Sequence, residues 1–396
     1  MLPGALSGIR ILDADEGIAA GYCTRLLAGL GADVVKVEHP GTGDVLRRKG
    51  PFPGDRPHIE ASGLHLHLNA GKRSVTLDVA CASGAALLHR MAERADVLIA
   101  PAGPQASAVR RDADQRVSET ARPLINVQIE ATAEVVAMAR GGYLSLNGDP
   151  DREPVKVWGE QAHYQAGIHA ALGIVAALRA RDVSAGAAAE GERVQVDVAE
   201  AAAFLTAGAL QRWHLMKRPQ TRSGARPAGF APNRLYPSTV RPCADGHVHV
   251  HCHNRHDDLI SLLMDDEELR APDLLAEPLG HADEIDARMD RWLATRTRAD
   301  AVAAAQELRV PMTEAFSPAD VLADTGGHHA ARRSFVEAGH PFAGPVKLPG
   351  APIRMPGAPW RMQRAPLLGE HNINVYCDEL GLSPRELSWL RAAGVV

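Results

Sequence analysis

With 396 residues, this chain is long enough to bury a large core, and its length favours two domains or one large one. Apolar residues make up 45% of it and charged residues 23%, which is typical of a globular, enzyme-sized protein. A net charge of −5 and a pI near 6.4 argue against a nucleic-acid-binding protein. No apolar run approaches the roughly 18 residues of a membrane span, and the amino-terminal segment lacks the features of a secretory signal. Five cysteines without CxxC spacing predict free thiols in a reducing cytoplasm.

The first part of the chain alternates short apolar strands with helices. Residues 9–14 predict a buried strand, residues 19–31 a helix and residues 32–38 a second strand, so the chain opens with a β-α-β unit. Further strands are predicted in NAGKRSVTLD, ADVLIAPAG and PLINVQIEA, with a helix over CASGAALLHRMAERA. The pattern predicts a doubly wound α/β domain, in which ligands collect at the carboxyl ends of the strands.

Residues 159–178, GEQAHYQAGIHAALGIVAAL, form an apolar segment rich in alanine and glycine. These small residues predict a helix that lies close to another backbone. His163 stands where this helix begins. Because a helix amino terminus suits an anionic ligand or nucleophile, an imidazole is an unusual residue at this place.

The chain from 219 to 237 is rich in proline, glycine and arginine, which predicts a linker between domains. A turn at Asp245-Gly246, a strand and then mostly helical sequence predict a smaller second domain. Four histidines alternate along that strand and would share one face, where they could bind zinc or copper together with His256. They are His247, His249, His251 and His253. A solvent-facing edge strand with incidental histidines is the expectation, and no metal is expected.

Many segments match one known family in the same order. They are LSGIRILD, AGYCTRLLAGLGADVVKVEHPGTGD, NAGKRSVTLD, ADVLI, GYLSLNGDPDREPVKV, AGIHAALGIVAALRAR, ADGHVHVH and RAPLLGEHNINVYCDELGLSPRELSWLRAAGVV. Over essentially its whole length the chain thus resembles the family III CoA-transferases, the group of formyl-CoA transferase, carnitine CoA-transferase and α-methylacyl-CoA racemase. The resemblance implies an α/β fold with a Rossmann-like large domain formed from both termini (1–218 and 326–396). It also implies an inserted small α+β domain with its linker (219–325) and an interlocked-ring dimer that binds coenzyme A as a substrate.

The resemblance further implies an aspartate nucleophile that attacks the acyl-CoA thioester and forms a mixed anhydride. Its place is four residues before Gly167, and His163 occupies it; Glu160 is the nearby carboxylate in the sequence. Two other segments depart from the family pattern: the region 125–142 is shortened, and Pro101–Gln105 replaces a CoA-contacting turn. The CoA contacts that the resemblance implies are Ala19, Ala20, His39, Leu77 and Ala80, with Arg47, Lys72 and Arg73 as basic candidates for the phosphates.

Three functions remain open. The chain is expected to be the subunit of a family III CoA-transferase that lacks the nucleophile, with a paralogous chain as partner and an acyl-CoA and a carboxylic acid as substrates. It is alternatively a homodimeric isomerase, lyase or hydrolase that uses His163 as a base on an acyl-CoA. The third alternative is a protein that binds acyl-CoA, or serves as a scaffold, without catalysis.

Overall fold

The computed structural model describes residues 2–100, 124–183, 191–226, 236–251, 257–324 and 326–396. The turn at Pro101–Gln105, His253, His256 and residues 227–235 of the predicted linker lie outside these ranges. The chain divides into two compact units, the first made of Met1–Gly141, Trp158–Leu205 and His329–Val396, the second of Gly142–Val157 and Thr206–His328.

The division assigns residues 142–157 and 206–218 to the second unit, which the predicted limits placed in the large domain. Hydrogen bonds explain the grouping of 142–157. The Gly224 N–H donates to the Gly148 carbonyl over 3.1 Å. The Arg222 guanidinium donates to several backbone carbonyls of the same segment, among them Arg152 O at 2.9 Å. Arg222 lies about 70 residues after the segment that it contacts, so no local sequence pattern indicates this contact.

A six-stranded parallel sheet forms the centre of the first unit. Its strands are β1 (Arg10–Asp13), β2 (Asp33–Glu38), β3 (Arg73–Thr76), β4 (Val97–Ile99), β5 (Ile125–Glu130) and β6 (Glu192–Asp197). They follow the order β3-β2-β1-β4-β5-β6, and every neighbouring pair is parallel. β4 is fully buried and β5 nearly so, as expected of strands covered on both faces. The predicted α/β class and the opening β-α-β unit are confirmed.

Helices connect these strands. They are α1 (Ile18–Gly29), α2 (Gly63–Leu68), α3 (Ala82–Ala92), α4 (Glu134–Arg140), α5 (Gln161–Val183) and α6 (Val198–Phe204), with short 3-10 helices at Val45–Arg48 and Pro53–Asp55. The long α5 is the small-residue helix expected from the sequence, and it packs against α1. At Gly167 the two backbones are so close that an added Cβ would lie 2.7 Å from the Ala19 carbonyl oxygen.

The second unit is built on a three-stranded antiparallel sheet in the order β7-β8-β9 (Ser238–Cys243, Gly246–His251 and Met312–Glu314). Its helices are α7 (Ala207–Met216), α8 (Asp257–Met264), α9 (Pro272–Ala276), α10 (Ala282–Leu293), α11 (Arg298–Glu307) and α12 (Pro318–Ala323), with 3-10 turns at Leu144–Leu146 and Glu267–Arg270. Val248 and Val250 of β8 are fully buried in its core together with Met289 and Leu293. The expectation of an edge strand is wrong: β8 is the central strand, because the distant β9 pairs with its second side.

The carboxyl-terminal segment completes the first unit. It contains α13 (His328–Arg332), the hairpin β10-β11 (Phe335–His340 and Gly344–Pro349), a π-helix (Ile373–Glu379) and α14 (Pro384–Ala392). Val375, Tyr376 and Leu387 join Leu12 and Val75 in one apolar cluster, so both ends of the chain share a core. The predicted start of the last helix is confirmed by a capping box between Ser383 and Glu386. Among the helices in the described ranges, none combines the length and apolar character needed to span a bilayer.

Candidate active site

Two helices of the first unit begin at the carboxyl edge of the parallel sheet. α4 starts four residues after the end of β5, and α5 runs back to the start of β6, so the amino termini of both lie at this edge. Open α/β sheets bind ligands at the carboxyl ends of their strands. His163 is in the first turn of α5, and Glu134 is the first residue of α4. The histidine therefore lies where this fold places chemistry.

Glu134 binds both the backbone and the imidazole at this point. Its Oε1 accepts a hydrogen bond of 3.0 Å from the Ala162 N–H, which is one of the unpaired donors at the start of α5. Its Oε2 lies 3.0 Å from His163 Nδ1. The Glu134 side chain is only 4% exposed, that of His163 15%. One buried carboxylate thus fixes the helix terminus and orients the imidazole ring.

Glu160 is the second carboxylate beside the ring. Its Oε2 lies 3.6 Å from His163 Nδ1, and its side chain is 38% exposed. The sequence correctly placed Glu160 near His163 but missed Glu134. The sequence did contain a signal for Glu134. It is a glutamate at the start of a helix shortly after a strand, and in a doubly wound sheet such a position lies at the ligand-binding edge.

The arrangement gives His163 the geometry of a general base. Within the described part of the chain, its hydrogen bond and ion pairs are made through Nδ1, which leaves Nε2 available to a substrate. A carboxylate at Nδ1 fixes the tautomer and stabilises the imidazolium that forms when Nε2 takes a proton. A ligand atom from each of His163, Glu134 and Glu160 also lies within 4.8 Å of the others, close enough to share a divalent cation. The 3.0 Å Nδ1–Oε2 distance is equally that of a hydrogen bond, which explains the cluster without an ion.

The residue that follows His163 makes an aromatic contact with α1. Tyr164 meets Tyr22 of α1 edge to face, with ring centroids 4.9 Å apart. Burial raises the pKa of Tyr164, and the nearby Tyr22 and Glu160 act in the same direction, which keeps the phenol neutral. Ala19 and Ala20, predicted to contact CoA, are 5% and 1% exposed and belong to the close contact between α1 and α5.

The remaining predicted CoA contacts without a basic side chain lie beside β2 and β3, on the opposite side of the strand order from β5 and β6. His39 directly follows β2, and Leu77 and Ala80 follow β3, so all three are at the carboxyl edge. His39 is exposed, and its Nδ1 lies 2.8 Å from the Pro40 carbonyl. Leu77 is buried and Ala80 exposed. Strands β1 and β4 separate this group from His163 and Glu134.

The basic residues predicted for the phosphates are already paired with acidic groups. The fully buried Arg47 binds Glu38 at 2.6 Å and Glu60 at 2.7 Å. Burial by itself would lower the pKa of Arg47, but the hydrogen bonds and charges of both glutamates raise it. Arg47 is thus held as a permanent cation inside the fold.

Lys72 and Arg73 are occupied in the same way. The Lys72 ammonium donates to Asn69 Oδ1 at 2.8 Å and lies 3.4 Å from Asp13 Oδ2, and burial lowers its pKa to about 8 against the opposing charge of Asp13. Arg73 stands at the amino end of β3, where it pairs with Asp33 and Glu379 at 2.6 and 2.5 Å. The structure does not bring these cations to His163, and their contact with CoA stays a prediction.

Comparison with known proteins agrees with this architecture. The model of CoA-transferase family III matches residues 6–372. The chain belongs to CoA-transferase family III. The predicted resemblance and enzyme class are thereby confirmed, and the finer assignments of nucleophile and partner are separate questions.

Individual relatives cover most of the chain. It is 29% identical to the formyl-CoA:oxalate CoA-transferase of Streptomyces avermitilis, over 99% of each chain. It is 32% identical over 253 residues to subunit BbsE of the succinyl-CoA:(R)-benzylsuccinate CoA-transferase of Thauera aromatica, over 61% of this chain and 58% of that one. A CaiB/BaiF family protein from Brucella suis has a TM-score of 0.80 at 23% identity, over 95% of this chain and 99% of that chain, which supports the fold.

Proposed function

We propose that this chain is the non-nucleophilic subunit of a family III CoA-transferase, which moves CoA between an acyl-CoA thioester and a carboxylic acid. The observation that carries the proposal is the imidazole of His163, held by Glu134 at the start of α5, where the family resemblance calls for an aspartate. In this assignment a paralogous family III chain supplies the nucleophile. The similarity to BbsE, which is itself a subunit, supports a two-chain enzyme.

The chemistry of transfer explains why His163 is a poor substitute for that aspartate. A carboxylate that attacks a thioester releases the CoA thiolate and forms a mixed anhydride. The thiolate then attacks the enzyme-side carbonyl of that anhydride, which releases the donor acid as a carboxylate and leaves CoA on the enzyme carboxyl. An imidazole would form an acyl-imidazole instead, which water cleaves readily. Glu160 is a carboxylate, but it precedes α5 and would need a different path to the thioester.

Uncovered apolar surface supports a protein partner. α7 in the second unit has no buried residue, and it carries three large apolar side chains that are more than half exposed. They are Leu210 (58%), Trp213 (54%) and Leu215 (74%). In the first unit, Leu172 of α5 and Phe204 of α6 are 66% and 73% exposed. Large apolar side chains grouped on exposed helices are typical of protein–protein interfaces. We propose that a paralogous subunit, or a second copy in an interlocked dimer, covers them.

The His163–Glu134 pair favours one second candidate, a homodimeric enzyme that moves a proton on an acyl-CoA or hydrolyses it. There, Nε2 of His163 would act as the base while Glu134 holds Nδ1. Positioned general bases of this kind contribute about 10²–10⁴-fold in rate. This candidate needs no second chain.

Assays on the lone chain and on a complex with a co-expressed paralogue separate the two candidates. We expect CoA transfer only in the mixed complex, and we expect His163→Ala to leave that activity largely unchanged while Asp→Ala in the partner abolishes it. Turnover of an acyl-CoA by the purified lone chain, lost in His163→Ala, would refute the subunit proposal and establish the base. Isothermal titration with CoA on the same samples controls for variants that merely lose binding.

A further inference from the structure

Three histidines stand in a row on β8, the central strand of the second unit. His247, His249 and His251 share one face, because the alternate residues Val248 and Val250 point into the core. His247 and His251 are exposed and His249 is half-buried. None of these three histidines is among the residues that contact His163 in the described part of the chain.

His249 and His251 form a pair within the row. Their ring centroids are 6.3 Å apart and their planes are nearly parallel, at 15°. Imidazole nitrogens bind zinc or copper at about 2.0–2.1 Å, so two rings on one ion must bring their nitrogens to about 3 Å from each other. Because rotation about the Cβ–Cγ bond leaves the ring centre in place, this approach requires a change of the first side-chain torsion to another staggered position, which leaves the backbone unchanged. The strand therefore presents the two rings side by side, as a chelate requires.

Ser238 gives this pair the support that metal-binding histidines usually have. Its Oγ lies 2.8 Å from His251 Nδ1, and the two residues face each other across the β7–β8 ladder. When Nδ1 donates its proton to the serine oxygen, Nε2 carries the free lone pair and is the metal-binding nitrogen. His247 has Pro242 as its cross-strand neighbour, which has no such group to offer.

We propose that His249 and His251 form a bidentate chelate for a divalent transition metal. Imidazole ligands suit copper, nickel and zinc, and copper binds most tightly in this series, so Cu²⁺ is the expected preferred ion. Two imidazoles leave coordination positions open, which a water molecule or a carboxylate of another molecule can fill. The sequence suggested no metal because no carboxylate or cysteine stands out as a further ligand, whereas the ring pairing and the serine come from the packed sheet.

Titration of the full chain with Cu²⁺ against a competing chelator tests the site, with nitrogen coordination read from electron paramagnetic resonance. We expect a saturable site whose affinity falls about 100-fold or more in His249→Asn and in His251→Asn. Loss of an outer-shell partner typically costs about 10–100-fold, so Ser238→Ala should weaken binding by about tenfold. His247→Asn is the matched control, on the same face of the same strand but outside the pair, and should retain wild-type affinity.

The proposal is overturned if His249→Asn binds as the wild type does, or if His247→Asn loses as much affinity as the paired histidines. Absence of saturable Cu²⁺ binding to the wild type would overturn it as well. The side chains at all of these positions are exposed or half-buried, so the variants should fold, and unchanged thermal unfolding of the metal-free variants excludes misfolding as the cause. The result is independent of CoA transfer, because the readout is metal affinity.

Discussion

Replacement of Gly167 by alanine tests the close contact between α1 and α5 that positions His163. A Cβ at this position would lie 2.7 Å from the Ala19 carbonyl oxygen and 3.2 Å from the Cys23 amide nitrogen. Both are backbone atoms of α1, so the helices must move apart by several tenths of an ångström. Overpacking of this kind costs about 1–3 kcal/mol, and the better helix propensity of alanine returns about 1 kcal/mol. We expect a net loss of up to about 2 kcal/mol in the free energy of unfolding.

Gly173→Ala is the matched control, since it makes the same substitution in the same helix, less than two turns after Gly167. Its new Cβ would lie 2.7 Å from one methyl of Val194, and the next atoms are 3.9 Å away. A single side-chain methyl can move where two backbone atoms cannot, so the helix propensity should dominate and the variant should be as stable as the wild type or slightly more stable.

Urea unfolding of both variants, followed by far-ultraviolet circular dichroism, measures this difference. At equal m-values, the midpoints should separate by the equivalent of about 1–3 kcal/mol, with Gly167→Ala the less stable. If Gly167→Ala equals or exceeds Gly173→Ala in stability, the proposed backbone contact does not constrain α5.

Three further changes test the buried charges and the candidate site. Burial alone would raise the pKa of Glu38, but Arg47 lowers it to about 2, so this stabilisation is complete above the ordinary value of 4.5 and is lost as the pH falls toward 2. Glu38→Gln should therefore lower the free energy of unfolding by roughly 3 kcal/mol at pH 7, and the free energy of unfolding should then depend less on pH between pH 4.5 and 2. Glu370→Gln is the control: Glu370 belongs to a more exposed ion pair, so its loss should change stability far less. Equal effects of the two variants would contradict this account. Glu134→Ala should cost about 1–2 kcal/mol of α5 capping, and Glu134→Gln, which keeps an oxygen acceptor, should cost less; thermal unfolding compares them. If the proposed loss of the nucleophile explains the function of this chain, His163→Asp should give the lone chain measurable CoA transfer; no transfer despite intact CoA binding would show that a carboxylate at this position is not sufficient.

The sequence alone predicted much of the first unit because its signals are local. Strands of apolar residues, helices between them and the capping box at Ser383 can each be recognised within a few neighbouring residues. The small residues around Gly167 correctly indicated a helix packed against a backbone, since only small side chains allow that distance.

The surroundings of individual side chains could not be predicted in this way. The sequence predicts Arg47 as a candidate contact for the CoA phosphates, but folding buries it between two glutamates. The strand with the histidines appeared to be an edge strand, but a segment about 60 residues later pairs with it. Both outcomes depend on contacts between residues far apart in the chain, which local patterns do not encode.

The sequence by itself determined the family of the chain and that a histidine stands at the start of the small-residue helix; that this histidine takes the place of a carboxylate is what the family resemblance predicts. Only the tertiary structure added Glu134, 29 residues earlier, as the partner that binds both the ring and the helix terminus. The reason is topological: parallel strands with return helices bring the starts of α4 and α5 to the same edge of the sheet, and only there do a remote carboxylate and the imidazole come within hydrogen-bonding distance.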